Sequence, residues 1–200
     1  MIFKNEFGDV IDHLSLERVE QIQAETYITD RSVVLELGAR YGTVSCIINK
    51  KIAVHTNQVS VEPDETVFEV LEENMKVNGC NFYIVKGAIS RMPCRFINPG
   101  YGGSTIIDLS GSVPHFTLEE IEAKYNLKFN TLVADCEGFL EQFFDENPGL
   151  YEQLELVIFE CDQAHRCDYK KIMNNLFING FERIENAFHQ VWRKSDLPLE

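Results

Sequence analysis

Glu36, Gly38, Gly42 and Glu62 are the residues of this chain whose types and spacing can do chemistry together. They lie in Val33-Val34-Leu35-Glu36-Leu37-Gly38-Ala39-Arg40-Tyr41-Gly42-Thr43-Val44-Ser45 and, about twenty residues on, in Val59-Ser60-Val61-Glu62-Pro63. An apolar strand running into a glycine-bearing turn and a helix, followed by a second strand ending on a carboxylate, is the layout of a nucleoside-cofactor site on an open α/β sheet. In that layout Gly38 lets the backbone approach a ligand, Gly42 opens the helix, and Glu62 accepts from both ribose hydroxyls. The spacing here is G-x-x-x-G, whereas a pyrophosphate turn reads G-x-G-x-x-G ahead of an exposed helix N-terminus. The expected cofactor is therefore S-adenosylmethionine, an adenosine without phosphates, in preference to NAD. Glu36 suits its methionyl end, where a strand-end carboxylate attracts an ammonium and a sulfonium. Ala39, Arg40, Tyr41, Ser45 and Pro63 complete the expected contacts of this stretch with the cofactor.

A second set of groups follows at Asp135-Cys136-Glu137-Gly138 and Glu160-Cys161-Asp162, with His165 just beyond. Both tetrads and triads of this kind end predicted strands, the place where ligands bind on such sheets. Methyl transfer needs strict in-line positioning and, where the acceptor atom carries a proton, a destination for that proton. Either a base within about 2.6–3.2 Å takes it or a metal lowers the acceptor's pKa. The catalytic candidates are His165 as base with Asp135 and Asp162. The metal candidates are Asp135, Glu160 and Asp162, an oxygen-rich set suited to Mg²⁺ or Mn²⁺. Cys161, His165 and Cys167 lack the second ligand pair of a zinc site. Plainer readings stand beside these: the glycines can serve a tight strand-to-helix connection, the acids can be solvated, and His165 can be an exposed loop histidine. His115 and Trp192 read as structural.

These groups must be held by regular elements. A weak helical pattern covers residues 9–25, an N-terminal lid or packing segment within residues 1–30. Strands are expected at 33–37, 59–62, 81–85, 131–134 and 154–159, with a short one at 105–107 inside an irregular excursion from Met92 to Ser112. Helices are expected at 42–49, after Asp64, after Thr117 with its capping box to Glu120, and after Asp168. Asn78-Gly79 and Asn179-Gly180 stop two of them. Two terminal strands, at 181–186 and 189–194, form a hairpin. Alternating strands and helices call for a mostly parallel sheet with helices on both faces, and the hairpin must leave one strand antiparallel.

Composition narrows the partners. The 200 residues are expected to fold as one domain, with residues 31–200 as the cofactor-binding core. A formal net charge of −14 repels phosphate-rich partners, so no nucleic acid is expected. No apolar run approaches the roughly 20 residues of a membrane helix and no signal peptide is evident, so a cytoplasmic protein without a membrane span is expected. The six cysteines show no C-x-x-C pair and read as reduced, mostly packed thiols.

Together these residues resemble the class I S-adenosylmethionine-dependent methyltransferases, and more narrowly the FkbM family. The resemblance rests on Glu36-Leu37-Gly38-Ala39 through Gly42, Val61-Glu62-Pro63, Gly87-Ala88-Ile89-Ser90, Phe116-Thr117-Leu118-Glu119 and Asp135-Cys136-Glu137-Gly138, in family order from about residue 30 to the C-terminus. It implies a Rossmann-like α/β fold whose seven-stranded sheet has an antiparallel last strand. It further implies adenosine held by Glu62 and the Gly87-Ala88 turn, and a methyl acceptor near the ends of the fourth and fifth strands; Asp135 is expected among the cofactor-binding residues as well. Relatives that methylate sugar hydroxyls make a small-molecule or glycan acceptor the expectation, with Tyr41, Tyr101 and Phe116 available to face a sugar ring. The chain could then be one module of a larger glycan-building protein. Arg40-Tyr41 departs from the smaller residues usual at that turn. The competing readings are a dinucleotide-dependent oxidoreductase and a noncatalytic binding module on the same fold.

Overall fold

The computed structural model describes residues 1–195; the last five residues of the expected core, 196–200, lie outside the described residues. Seven strands form the central sheet: β1 (Val34–Leu37), β2 (Gln58–Glu62), β3 (Tyr83–Lys86), β4 (Thr131–Ala134), β5 (Leu156–Glu160), β6 (Phe181–Asn186) and β7 (His189–Lys194). Their order is β6-β7-β5-β4-β1-β2-β3, with β1 to β5 mutually parallel and β7 antiparallel to both its neighbours. The chain winds outward from β1 through β2 to β3, then crosses back to β4 on the other side of β1. That reversal is the switch point, and it opens a crevice between the carboxyl ends of β1 and β4.

Parallel strands covered on both faces read as continuous apolar runs, and every residue of β1, β2 and β4 is buried. Alternate side chains divide between two layers. Leu35, Leu37, Val59, Val61, Leu132, Ala134, Val157 and Phe159 share a cluster with Ile121 of α4 (Leu118–Tyr125), Phe143 of α5 (Leu140–Glu146) and Ile172 of α7 (Tyr169–Ile178). Val34, Val133, Leu156, Ile158 and Val191 share another with Ala24 of α1 (Arg18–Tyr27) and with Val44 and Ile48 of α2 (Thr43–Lys51). The remaining helices are α3 (Phe68–Val77) and α6 (Leu150–Gln153). None of the described helices is long and apolar enough to cross a membrane.

Local signals hold at most boundaries. The Thr117 hydroxyl accepts from the Glu120 N–H while the Glu120 carboxylate accepts from the Thr117 N–H, so both halves of the capping box form. Asp64 caps a single 3-10 turn, Glu65–Val67, and the α-helix starts only at Phe68. The structure departs from the sequence reading in three places. Residues 9–17 are not helical: Val10–Ile11 pairs with Phe3–Lys4 in a short hairpin, and the Gln21 side-chain amide, donating to the His13 and Leu16 carbonyls at 2.7 Å each, ties the following loop to α1. The 92–112 excursion holds a second strand, Cys94–Ile97, antiparallel to Ser104–Ile107. Helices α5 and α6 precede β5, which begins at Leu156; Leu140, Phe143 and Phe144 carry helical spacing in a segment only seven residues long.

Candidate active site

The turn after β1 is held from below. Gly38 has φ +89 and its N–H donates to the Val61 carbonyl at 3.0 Å. A Cβ there would stand 1.7 Å from the Asp135 carbonyl oxygen. The end of β4 passes against it, a demand for glycine that stands beside the ligand approach expected of it. Gly87, at φ +150, has the same relation to the Pro114 carbonyl, 2.1 Å from its would-be Cβ. Arg40 follows at φ +41, and its N–H donates to Glu62 Oε2 while the Asp64 N–H donates to Oε1, each at 2.7 Å. Glu62 thus clamps two turns, and burial pushes its carboxyl up to about 7 in spite of these bonds. Each of its oxygens keeps a second lone pair for a further donor.

A cleft partly open to solvent occupies the switch point. Its floor is Gly38, Glu62, Pro63, Gly87, Ala88 and Asp135, the strand-end residues singled out above, and Arg40 lines it too. The hairpin of Cys94–Ile97 and Ser104–Ile107 contributes Phe96, Tyr101 and Thr105 to the wall. Its glycine-rich tip is anchored at Gly100, whose N–H donates to Asp64 Oδ2 at 3.3 Å. The Arg40 guanidinium lies 4.6 Å from the ring centroids of both Tyr41 and Tyr101, a pair of cation–π contacts that joins the tip to the first turn.

Carboxylates gather at the other end of the cleft. Oxygens of Asp135, Glu137 and Asp162 lie within 4.8 Å of one another. Asp162 Oδ1 accepts from the Gly138 N–H (3.0 Å) and the Tyr169 hydroxyl (2.5 Å), while Asp162 Oδ2 and Asp135 Oδ1 are buried with no partner among the described residues. Burial, then the charges of Glu160, Asp162, Glu17 and Glu20, raises the Asp135 carboxyl well above its usual value. A smaller cavity adjoins the cleft at Gly38 and is bordered by Glu17, Glu20, Glu36, Asp135 and Glu160. Glu36 there is 2 % exposed, accepts from the Ser60 hydroxyl at 2.5 Å, and is pushed by burial to about 7. Such a cavity prefers a cation, which relieves the repulsion among its walls.

Strained backbone marks the same loops. Arg40, Glu137 and Gln163, after β1, β4 and β5, hold φ of +41, +50 and +39, a conformation that non-glycine residues keep only when the surroundings over-determine it. The Glu137 carboxylate accepts from the Gln163 side chain at 3.1 Å, tying two of these loops together.

Other expected residues lie elsewhere. Ala39 and Tyr41 are buried beneath the turn, Gly42 is the N-cap of α2 at φ +77, and Ser45 is buried within α2; none of the four lines the cleft. His165 is exposed and borders a separate shallow depression with Cys161, Cys167 and Asp168, so the structure does not bring it to Asp135. Glu160 borders the smaller cavity with Asp135, but its cluster is with Glu20 and His189, whose Nε2 is 2.7 Å from Glu20 Oε1 and 3.8 Å from Glu160 Oε1. Glu137 replaces it beside Asp162. Phe116 is outside the cleft and Trp192 is core, whereas Tyr101 lines the cleft as expected. Glu17 and Phe96 were not anticipated: Glu17 comes from the segment before α1 and Phe96 from a strand hidden in an irregular stretch.

No protein-family model matches this chain, and no curated protein matches it. Solved structures do. A precorrin-6y C5,15-methyltransferase from Geobacter metallireducens GS-15 is similar at TM-score 0.55 and 12% identity, over 90% of this chain and 90% of that one. A methyltransferase from Geobacter sulfurreducens aligns at TM-score 0.52 and 14% identity, over 89% of this chain and 77% of that one. A ribosomal protein L11 methylase from Lactobacillus delbrueckii subsp. bulgaricus aligns at TM-score 0.50 and 18% identity, over 88% and 78%. The fold is the Rossmann-like fold of the class I methyltransferases, a mostly parallel seven-stranded sheet between helices. Two of those neighbours are named for precorrin-6y and ribosomal protein L11, so the shared sheet does not select an acceptor.

Proposed function

We propose that this chain is an S-adenosylmethionine-dependent O-methyltransferase of the FkbM kind, with residues 31–200 as its cofactor-binding core and residues 1–30 packed against it. The observation that carries the reading is Glu62, a buried strand-end carboxylate with lone pairs left for two hydroxyls, lining a cleft with Gly87 and Ala88 at the switch point of a methyltransferase sheet. When bound, S-adenosylmethionine would supply a methyl group on a sulfonium. Glu62 would accept from the ribose hydroxyls, and the carboxylates around Gly38 would attract the cationic end. Asp135, whose Oδ1 has no partner among the described residues, would accept the acceptor hydroxyl's proton. Glu62→Gln should weaken S-adenosylhomocysteine binding by about 1.5–3 kcal/mol, the worth of hydrogen bonds to a charged acceptor. Calorimetric titration of the variant checks this. Unchanged affinity would remove Glu62 from the ribose, and tight binding of NAD in a parallel titration would favour the oxidoreductase.

Asp135, Glu137 and Asp162 fit a divalent cation as a hard, three-oxygen donor set with two orphaned buried oxygens. They would hold it beside the acceptor oxygen, where a cation lowers a hydroxyl's pKa. Exhaustive chelation is then expected to abolish turnover while leaving S-adenosylhomocysteine affinity within about twofold, since a Glu62 contact does not involve these three acids. Full activity after chelation would leave the proton to Asp135 alone.

For the acceptor we propose a hydroxyl on a sugar or glycan. The charge of −14 disfavours nucleic acid, the acidic rim can accept from vicinal hydroxyls, and Tyr101 and Phe96 offer an apolar wall to a ring. A screen of glycans, free sugars, phenols and protein extracts with a radiolabelled methyl donor tests it. Label on protein or phenol only, with every sugar untouched, would overturn the carbohydrate acceptor and leave the methyltransferase reading standing.

A further inference from the structure

Glu20, Glu160 and His189 converge from three elements on one point. Glu160 ends β5 and His189 opens β7, and the two are paired directly across the antiparallel ladder, so their side chains leave the same face of the sheet. Helix α1 packs against both strands and brings Glu20, from its first turn, to the pair. His189 Nε2 is 2.7 Å from Glu20 Oε1 and 3.8 Å from Glu160 Oε1, and the donor atoms of the three residues lie within 4.8 Å of one another. All three side chains are sheltered, at 17 % exposure for His189, 10 % for Glu20 and 18 % for Glu160.

We propose that these three residues bind a zinc ion that staples α1 to the sheet. Donors each about 2.0–2.2 Å from one zinc lie roughly 3–4 Å apart, so small side-chain rotations are enough to close the observed separations onto an ion. One imidazole and two carboxylates suit zinc, whereas Mg²⁺ takes oxygen donors. Charge favours the metal over a proton. A proton on His189 leaves two carboxylates facing a single positive charge, while zinc on the neutral imidazole balances both.

The neighbouring cavity is an independent sign of a cation. Glu20 and Glu160 border it together with Glu17, Glu36 and Asp135, and Asp135 Oδ1 is buried with no partner among the described residues. Carboxylates gathered around one small cavity repel one another until a cation or protons enter. The zinc ligands are distinct from Asp135, Glu137 and Asp162, and they require neither cofactor nor acceptor. Glu17, three residues before Glu20, lines the cleft, so the ion would also fix a segment of the cleft wall.

The full-length protein is stripped with EDTA, freed of chelator and titrated calorimetrically with zinc chloride in excess Mg²⁺, which competes at the all-oxygen cluster. Zinc-soaked crystals are measured at the zinc absorption edge. The expected result is an anomalous peak within bonding distance of His189 Nε2, Glu20 and Glu160, and a Tm higher by several degrees at a hundredfold excess over Kd. His189→Gln and Glu20→Gln should each weaken zinc binding at least tenfold and lose the rise in Tm. Glu137→Gln should bind zinc as the wild type does. Anomalous density confined to Cys161, His165 and Cys167, or to Asp135, Glu137 and Asp162, would overturn the proposal, as would zinc binding that leaves Tm unchanged. Equal zinc affinity in the wild type and in both glutamine variants would mark an adventitious ion only and overturn it too.

Discussion

Gly38→Ala is expected to yield a protein that does not fold to the wild-type state, while Gly149→Ala folds normally. At Gly38 the new Cβ would lie 1.7 Å from a backbone carbonyl, in a conformation of φ +89 that L residues rarely adopt. A backbone atom cannot swing aside as a side chain can, so β4 or the turn must move. Since β1 and β4 pair in register from Val34 with Thr131 to Leu37 with Ala134, the shift would strain the centre of the sheet. Steric and conformational costs of this kind exceed about 4 kcal/mol, a large share of a domain's stability. At Gly149, by contrast, a Cβ meets nothing within 4 Å and φ is unexceptional. Urea unfolding of both variants measures the difference. A Gly38→Ala protein with a wild-type midpoint would show that the approach of β4 is looser than described.

Glu36→Gln is expected to raise stability at pH 8 and leave it unchanged near pH 4.5. Burial raises the Glu36 carboxyl from 4.5 to about 7, so the folded state prefers the protonated form. The stabilisation is fully present below the unfolded value and is lost as pH rises through the folded one. Two to three pH units correspond to about 3 kcal/mol, which the wild type forgoes above pH 7 and the amide keeps. For a chain of this size that is a Tm difference of roughly 5–10 °C. Glu62, raised to about 7 by the same cause, adds to the wild-type slope, so wild-type Tm should itself fall between mildly acid and mildly alkaline pH. Thermal unfolding of both proteins across pH 4.5 to 8 checks the sign. If the two curves run parallel, Glu36 is not the buried acid that sets the slope. The stabilised variant should also bind S-adenosylhomocysteine less tightly at pH 8, because a charge retained against the fold's preference is one kept for a ligand.

What the sequence by itself determined is the scaffold and half of the site. Apolar runs such as Val33 to Leu37, stopped by Gly38, and helices bounded by Thr117, Asn78-Gly79 and Asn179-Gly180 depend on neighbours in the chain, and local forces act there at full strength. The strand-end positions of Glu62 and Asp135 follow from those boundaries. Tertiary structure decided the rest. Whether Glu137 or Glu160 stands with Asp162 depends on how two loops at φ +50 and +39 fold over each other, and His165 is exposed on a separate depression. That Gly38 must also admit the end of β4 was not legible, because the carbonyl that excludes a side chain there belongs to a residue 97 positions away. The same is true of Glu17 and Phe96. Each is set by long-range packing, where the partner that gives a residue its environment has no fixed offset in the chain, and burial alone converts ordinary carboxyls into groups that titrate near neutrality.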